Sequence, residues 1–327
     1  MRINLFFAAA VCAAALAAPA AAYKVGLVFD VGGRGDKSFN DAAYRGLERA
    51  KKELKVATDY IEPSDAADRE NALRQFASGD SDLIIGIGFI FTDDINPLAK
   101  AFPKKPFAGV DYALTPGKKP PANVAALKFR EQESSFLGGV IAALASKSGV
   151  IGFVGGMDTP LIHKFEAGFK AGAAWANPKT KVLSAYAGVT PEAFKDPSKG
   201  KELALSQIGQ GADVIYHASG STGLGVFEAA RDKHILAIGV DSDQYKDAPG
   251  YVLTSITKQV DQAVFDAVKS AKNGKPLKGV LEFGLKEKGV DYVYDEHNKA
   301  LIPDAARKKA EQARKLIIAG KIKVPFQ

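Results

Sequence analysis

Residues 25–47 read Val-Gly-Leu-Val-Phe-Asp-Val-Gly-Gly-Arg-Gly-Asp-Lys-Ser-Phe-Asn-Asp-Ala-Ala-Tyr-Arg-Gly-Leu. An apolar run, Val25 to Phe29, ends in Asp30. The glycines that follow let the backbone turn sharply. Ser38 is a credible N-cap, so a helix is expected from Phe39. Strand, glycine-rich turn and helix together open a βαβ unit. The same opening recurs at Ile151-Gly152-Phe153-Val154-Gly155-Gly156, followed by Phe165-Glu166-Ala167-Gly168-Phe169-Lys170-Ala171-Gly172. Further strands are expected at 56–61, 83–87, 106–110, 124–128, 182–186, 214–217, 236–240, 252–256 and 292–294. Further helices are expected at 64–78, 134–146, 199–210, 224–233, 258–273 and 304–320. Near-continuous apolar strands such as Leu83-Ile84-Ile85-Gly86-Ile87 suit parallel sheets covered on both faces. The rhythm runs twice, over about 24–128 and 150–256. It predicts an α/β protein of two doubly wound parallel-sheet lobes, with a cleft at the carboxyl ends of the strands. Three crossovers are expected, near 129–134, 254–258 and 283–288. They would form a hinge between an N-terminal lobe (23–129 plus about 257–285) and a C-terminal lobe (130–256 plus about 286–327).

The first residues address the chain. Arg2 precedes an apolar, small-residue run from Leu5 to Leu16, and Ala20 and Ala22 stand at the −3 and −1 positions of a cleavage site. Residues 1–22 therefore read as a signal peptide, with Tyr23 as the mature start. Pro19 and the alanine content argue against a membrane span. The single cysteine, Cys12, lies inside that segment, so the mature chain has no thiol for disulfides, catalysis or metal binding. As a lipid-attachment site Cys12 fits poorly, because Val11 precedes it where a small residue is wanted and Ala9 stands where Leu is usual. A soluble periplasmic protein is expected rather than a lipoprotein.

Composition excludes other classes. The chain is 46% hydrophobic and 25% charged, as soluble globular proteins are. Its net charge of +7 comes from lysines and arginines spread over many short clusters. No basic stripe with a nucleic-acid module is present, so no nucleic-acid partner is expected. His163, His217, His234 and His297 lack metal-ligand spacing. Gly220-Ser-Thr-Gly223-Leu-Gly225 has the wrong glycine spacing for a dinucleotide loop. No metal, no cofactor and no enzymatic activity are expected.

Polar groups gather at the strand ends. Asp30 ends the first strand, Asp111 ends Phe107-Ala108-Gly109-Val110, and Asp241 ends Ala237-Ile238-Gly239-Val240. Each aspartate alone reads as readily as a turn or helix cap. Three at matched strand ends favour one shared crevice, with Lys258 at a crossover and Phe39 and Asn40 at a helix N-terminus facing it. An exported nucleoside hydrolase using these acids is the lesser alternative.

These segments resemble the basic membrane protein (Bmp) family of ABC-transporter substrate-binding proteins, typified by purine nucleoside receptors. Besides residues 25–47, the resemblance rests on Ile-Ile-Gly-Ile-Gly-Phe (84–89), Gly-Val-Asp (109–111), Phe-Arg-Glu-Gln-Glu-Ser-Ser-Phe-Leu-Gly-Gly (129–139), Gly-Phe-Val-Gly-Gly-Met-Asp (152–158), Ala-Ser-Gly-Ser-Thr-Gly-Leu-Gly-Val (218–226) and Gly-Val-Asp-Ser-Asp-Gln (239–244). It implies a type I periplasmic-binding-protein fold and a monomer. It implies a purine nucleoside or nucleobase held between the lobes, and delivery to a permease in the inner membrane. By the same resemblance Phe39 stacks on the base, Asn40 and Asp111 meet its polar edge, and Asp30 belongs to the same site. Asp241 and Lys258 are implied near the ribose hydroxyls, with backbone from the loop at Gly220. The family supplies a second aromatic from the opposite lobe, for which Tyr216 and His217 are both candidates. A different planar heterocycle or a sugar-like ligand is the alternative cargo.

Overall fold

A computed structural model describes residues 22–64 and 66–327. The expected signal peptide and Cys12 lie outside the described residues, apart from Ala22. The first lobe opens with β1 (Lys24–Val28), α1 (Phe39–Leu54), β2 (Ala57–Ile61), α2 (Ala66–Ser78) and β3 (Leu83–Ile87). It continues through α3 (Thr92–Ala101), β4 (Phe107–Val110) and β5 (Val124–Phe129). The chain then enters α4 (Glu131–Ala145), β6 (Val150–Met157), α5 (Pro160–Ala176), β7 (Lys181–Gly188), α6 (Pro197–Gly209) and β8 (Val214–Ala218). There follow α7 (Gly223–Lys233), β9 (Leu236–Asp241), β10 (Val252–Lys258), α8 (Val260–Lys272), β11 (Gly279–Phe283), β12 (Val290–Tyr292) and α9 (Asp304–Ile318).

The strands form two six-stranded sheets, ordered β2-β1-β3-β4-β5-β11 and β7-β6-β8-β9-β10-β12. The two orders are the same doubly wound pattern, each with a late strand added at one edge. All pairings are parallel except β10 with β12. Burial explains the apolar strands: every residue of β3 is buried, and α1 lays Ala42, Ala43, Leu47 and Ala50 against its sheet. In the second lobe α4 and α5 touch backbone to backbone. A Cβ on Gly172 would stand 1.9 Å from the Phe136 carbonyl oxygen, so only glycine fits there.

The chain passes between the sheets three times: from β5 to β6, from β10 to β11 and from β11 to β12. The three passages run side by side. Arg130 N–H donates to the Phe283 carbonyl, and Gln259 N–H to that of Gly289. β10 lies wholly in the second sheet, and α8 beyond it packs on α1 of the first lobe.

Two elements are absent from the sequence reading. α3 contains Pro97, which lacks the N–H that would reach the Asp93 carbonyl, so the segment reads as a breaker. β11 is an edge strand of alternating exposure that begins at Gly279 with φ +74°, and it follows a lysine- and proline-bearing turn. The last strand ends at Tyr292 rather than starting there, because Val290 and Tyr292 are the residues that pack inward.

Candidate functional site

The cleft lies between the carboxyl ends of the two sheets. It is walled by Phe39 and Phe89 from one side and by Phe165, Phe194 and Leu161 from the other. Asp30, Asn40, Asp111, Gly220, Asp241 and Lys258 all line it.

The loop after β1 is built around a carboxylate that the sequence reading did not single out. Asp36 is buried and accepts from the backbone N–H groups of Ser38, Asn40 and Asp41. It therefore satisfies the start of α1, while burial pushes its pKa up. Ser38 precedes the helix, as expected, but makes no side-chain cap. Its hydroxyl instead crosses the cleft, donating to Asp241 Oδ2 at 2.8 Å and to the Val240 carbonyl at 3.2 Å. The Ser242 hydroxyl returns a bond to the Ser38 carbonyl (3.1 Å) and accepts from Arg45 Nη2 (2.8 Å). Asn40 sits inside the first lobe, where its Oδ1 accepts from Asp30 N–H and its Nδ2 donates to Asp36.

The carboxylates at the strand ends are all buried. Asp30 is 8% exposed, and one oxygen accepts from Val31 N–H at 2.6 Å. Burial raises its pKa to about 7, against that bond and with the charge of Asp111 adding to the rise. Asp111 and Asp241 repeat one conformation, with φ of +59° and +62°. Aspartate tolerates this left-handed region better than most residues, and here it turns both side chains into the cleft. One oxygen of each is bonded: Asp111 Oδ2 accepts from Lys258 Nζ at 2.6 Å, and Asp241 Oδ2 from Ser38. The other oxygens, Asp111 Oδ1 and Asp241 Oδ1, are buried with no hydrogen-bond partner among the described residues. Burial raises the pKa of Asp111 to about 6 against the pull of Lys258, and raises that of Asp241 against the same pull.

Lys258 ends β10 between the lobes and is 4% exposed. Burial works against its charge, but Asp111, Glu131 and Asp241 outweigh burial and hold its pKa above the ordinary lysine value. Its Nζ also lies 4.8 Å from the Phe39 ring centre and 5.7 Å from that of Phe165, within cation–π range.

Tyr216 and His217 do not line the cavity, which corrects both candidates for the second aromatic. They alternate on a central strand whose two faces are both covered by helices. Tyr216 points into one layer, between Phe153 and Phe169, with its hydroxyl 3.3 Å from Ser135 Oγ. His217 points into the other, edge-on to Phe227 and 3.1 Å from Gln244 Oε1. Burial pushes its pKa down to about 4, so it is neutral. Only the residues after them, Ala218 to Gly220, reach the cleft. The rings that the second lobe contributes are Phe165 of α5 and Phe194, the latter from a short turn at Pro191–Phe194. The internal duplication carried a signal for Phe165, since it opens the second repeat's helix segment as Phe39 opens the first. Phe194 lies outside every repeated segment, and no sequence signal marks it.

The sequence profile of the Bmp family, described as ABC transporter substrate-binding protein PnrA-like, matches residues 23–327. The chain belongs to the Bmp family. Among similar Bmp-family relatives, an ABC transporter nucleoside-binding protein of Lactococcus lactis is 36% identical over 92% of this chain and 89% of its own. An uncharacterised lipoprotein of Pyrococcus horikoshii is 42% identical over 82% of this chain and 68% of its own. A solved ABC-transporter solute-binding protein of Aeropyrum pernix is 30% identical and superposes with a TM-score of 0.82, covering 93% of this chain and 94% of that one. This Bmp-family protein therefore has the type I periplasmic-binding-protein fold. It is an extracytoplasmic substrate-binding protein that serves a small-molecule ligand and an ABC-transporter permease. The family is one of solute-binding proteins rather than enzymes.

Proposed function

We propose that the protein captures a purine nucleoside or nucleobase in the cleft and delivers it to an inner-membrane permease. One observation carries this reading. Two buried carboxylate oxygens, Asp111 Oδ1 from one sheet and Asp241 Oδ1 from the other, have no hydrogen-bond partner among the described residues, on either side of a cavity walled by phenylalanine rings. An unpaired buried acceptor costs about 1–3 kcal/mol, so the ligand is expected to bring a donor to each. A nucleoside is a flat π-system with N–H donors at one end and hydroxyl donors at the other. Phe39 would stack on the base, with Phe165 or Phe194 opposite. Asp30, Asn40 and Asp111 would meet its polar edge, while Asp241, Lys258 and the backbone at Gly220 would hold the ribose. The Lactococcus relative, a nucleoside-binding protein by name, supports the same class.

The lobe division at 23–129 plus 257–285 and 130–256 plus 286–327, closing about the three crossovers as a monomer, belongs to this proposal. So does export through a cleaved signal at 1–22 to give a soluble periplasmic protein. The Pyrococcus relative is named a lipoprotein, and intact mass of the exported chain separates the two, since acylation would start the chain at Cys12. The function itself is tested by mass spectrometry of small molecules released on denaturing freshly purified protein. A nucleoside or base is expected, and a released amino acid or sugar would refute the reading. Release of free base from added nucleoside would instead show a hydrolase.

A further inference from the structure

The open acceptor on Asp111 stands beside a cation able to take it. Lys258 Nζ carries three donors and lies 2.6 Å from Asp111 Oδ2, yet Asp111 Oδ1 accepts nothing among the described residues. The ammonium is ringed by Phe39, Phe129 and Phe165, at 4.8, 5.2 and 5.7 Å from the ring centres. A second carboxylate draws it away from the first. Glu131, the first residue of α4, is 1% exposed and does not line the cleft. Its Oε1 stands 3.4 Å from Lys258 Nζ, and its Oε2 accepts from Lys164 Nζ at 2.6 Å. Lys164 is anchored in turn on the Phe129 carbonyl at 2.8 Å. The backbone around Glu131 is tied to the third crossover on both sides. Arg130 N–H donates to the Phe283 carbonyl, and the Glu133 carboxylate accepts from Leu285 N–H at 2.8 Å. Burial works against the charge of Glu131, but Lys164 and Lys258 outweigh burial and hold its pKa below the ordinary carboxylate value. Lys258 is thus shared between an acid of the cleft and a charged acid behind it.

We infer that Glu131 is a positioning residue for ligand binding: by drawing Lys258 towards itself, it leaves Asp111 Oδ1 open to a donor of the ligand. The inference rests on the nucleoside reading for the identity of that donor. With a neutral side chain at 131, the pull of Asp111 on Lys258 loses its hydrogen-bonded rival, since Asp241 attracts the ammonium without bonding it. The ammonium then settles between both oxygens of Asp111. The base must compete with a lysine for an acceptor that the wild type keeps free.

The test is calorimetry on the wild type and on Glu131→Gln with two nucleosides: guanosine, whose base edge carries N–H donors, and purine riboside, whose base carries none. Guanosine affinity is expected to fall about tenfold in the variant, while that of purine riboside stays within about twofold. Both falling alike, or neither falling, overturns the inference and leaves the nucleoside reading standing. Glu131→Gln also leaves Lys164 without its carboxylate, so Glu131→Gln/Lys164→Met is measured beside it. The double variant should regain stability in urea while the guanosine defect remains. A defect that disappears with the regained stability shows a structural role and overturns the inference. If the wild type binds neither compound, the nucleoside reading falls and the ligand-free titration of Asp111 decides, followed by NMR with isotope-labelled aspartate. Asp111 is faced by Asp30, Asp241 and Glu131 and by Lys258, Lys128 and Lys164. Of these, Glu131→Gln changes only the charge at 131, which raises the pKa of Asp111 and competes for its lysine. Asp111 should therefore titrate at lower pH in the variant than in the wild type. That shift supports the inference, and an unmoved titration overturns it.

Discussion

Replacing Asp30 with asparagine should stabilise the ligand-free protein, and more so as the pH rises. Asp30 is almost fully enclosed, and its pKa rises from an ordinary 3.8 to about 7. A raised carboxyl pKa means that the fold prefers the protonated form. Its favourable contribution is therefore complete below about pH 4 and is lost as pH climbs through about 7. A shift of about three units corresponds to roughly 4 kcal/mol at the alkaline end, of which about 1.5 kcal/mol is already lost by pH 5. Asparagine keeps an oxygen for Val31 N–H and never ionises. The stability gap between Asp30→Asn and wild type should thus widen by about 2–3 kcal/mol between pH 5 and pH 8. Urea titrations of both proteins at the two pH values read this directly, because groups common to both cancel in the difference. A gap independent of pH would show that Asp30 ionises as an exposed carboxyl does, and the enclosed cleft described above would be wrong.

Three further outcomes test the site. Phe39→Ala should weaken nucleoside binding by about 1–3 kcal/mol, and Phe39→Tyr by less, since a π-face remains. Calorimetry paired with ligand-free melting separates stacking from packing, and a large melting loss with intact affinity would place Phe39 in the core. Asp111→Asn should also cost about 1–3 kcal/mol of affinity, because its unpaired acceptor becomes a donor or faces the ligand wrongly. Tyr216→Ala should do the reverse, destabilising the fold by about 3–5 kcal/mol in urea while Tyr216→Phe leaves nucleoside affinity unchanged. A Tyr216→Phe protein that loses affinity would return Tyr216 to the cleft.

The fold was legible because both lobes announce themselves in apolar strands that end in acid and glycine, and each reads without knowledge of the other. Leu83 to Ile87 can be little else than a covered parallel strand, and it is buried throughout. What escaped were the elements whose order comes from neighbours: α3, with Pro97 inside it, and the edge strand β11, which β5 holds in place. The strand-end acids were legible for the same local reason. The second wall of aromatics was not: a strand covered on both faces buries Tyr216 and His217 alike, and it was the family resemblance, not the strand pattern, that put them forward for the cleft. Phe194 reaches the cleft only through the tertiary path of the turn after β7. The role of Ser38 was also out of reach, since its partner stands 203 residues away.

That serine has a consequence for how the importer tells a loaded receptor from an unloaded one. Ser38, Asp241, Ser242 and Arg45 join the two lobes through protein groups alone. Whatever they contribute to the shut shape is present with or without cargo, so it tightens capture and at the same time narrows the difference between full and vacant receptors. Each tenfold increase in the vacant shut population is about 1.4 kcal/mol of signal that the permease no longer receives from the cargo. Fidelity of coupling, rather than affinity, then limits how strong this buried serine contact can become.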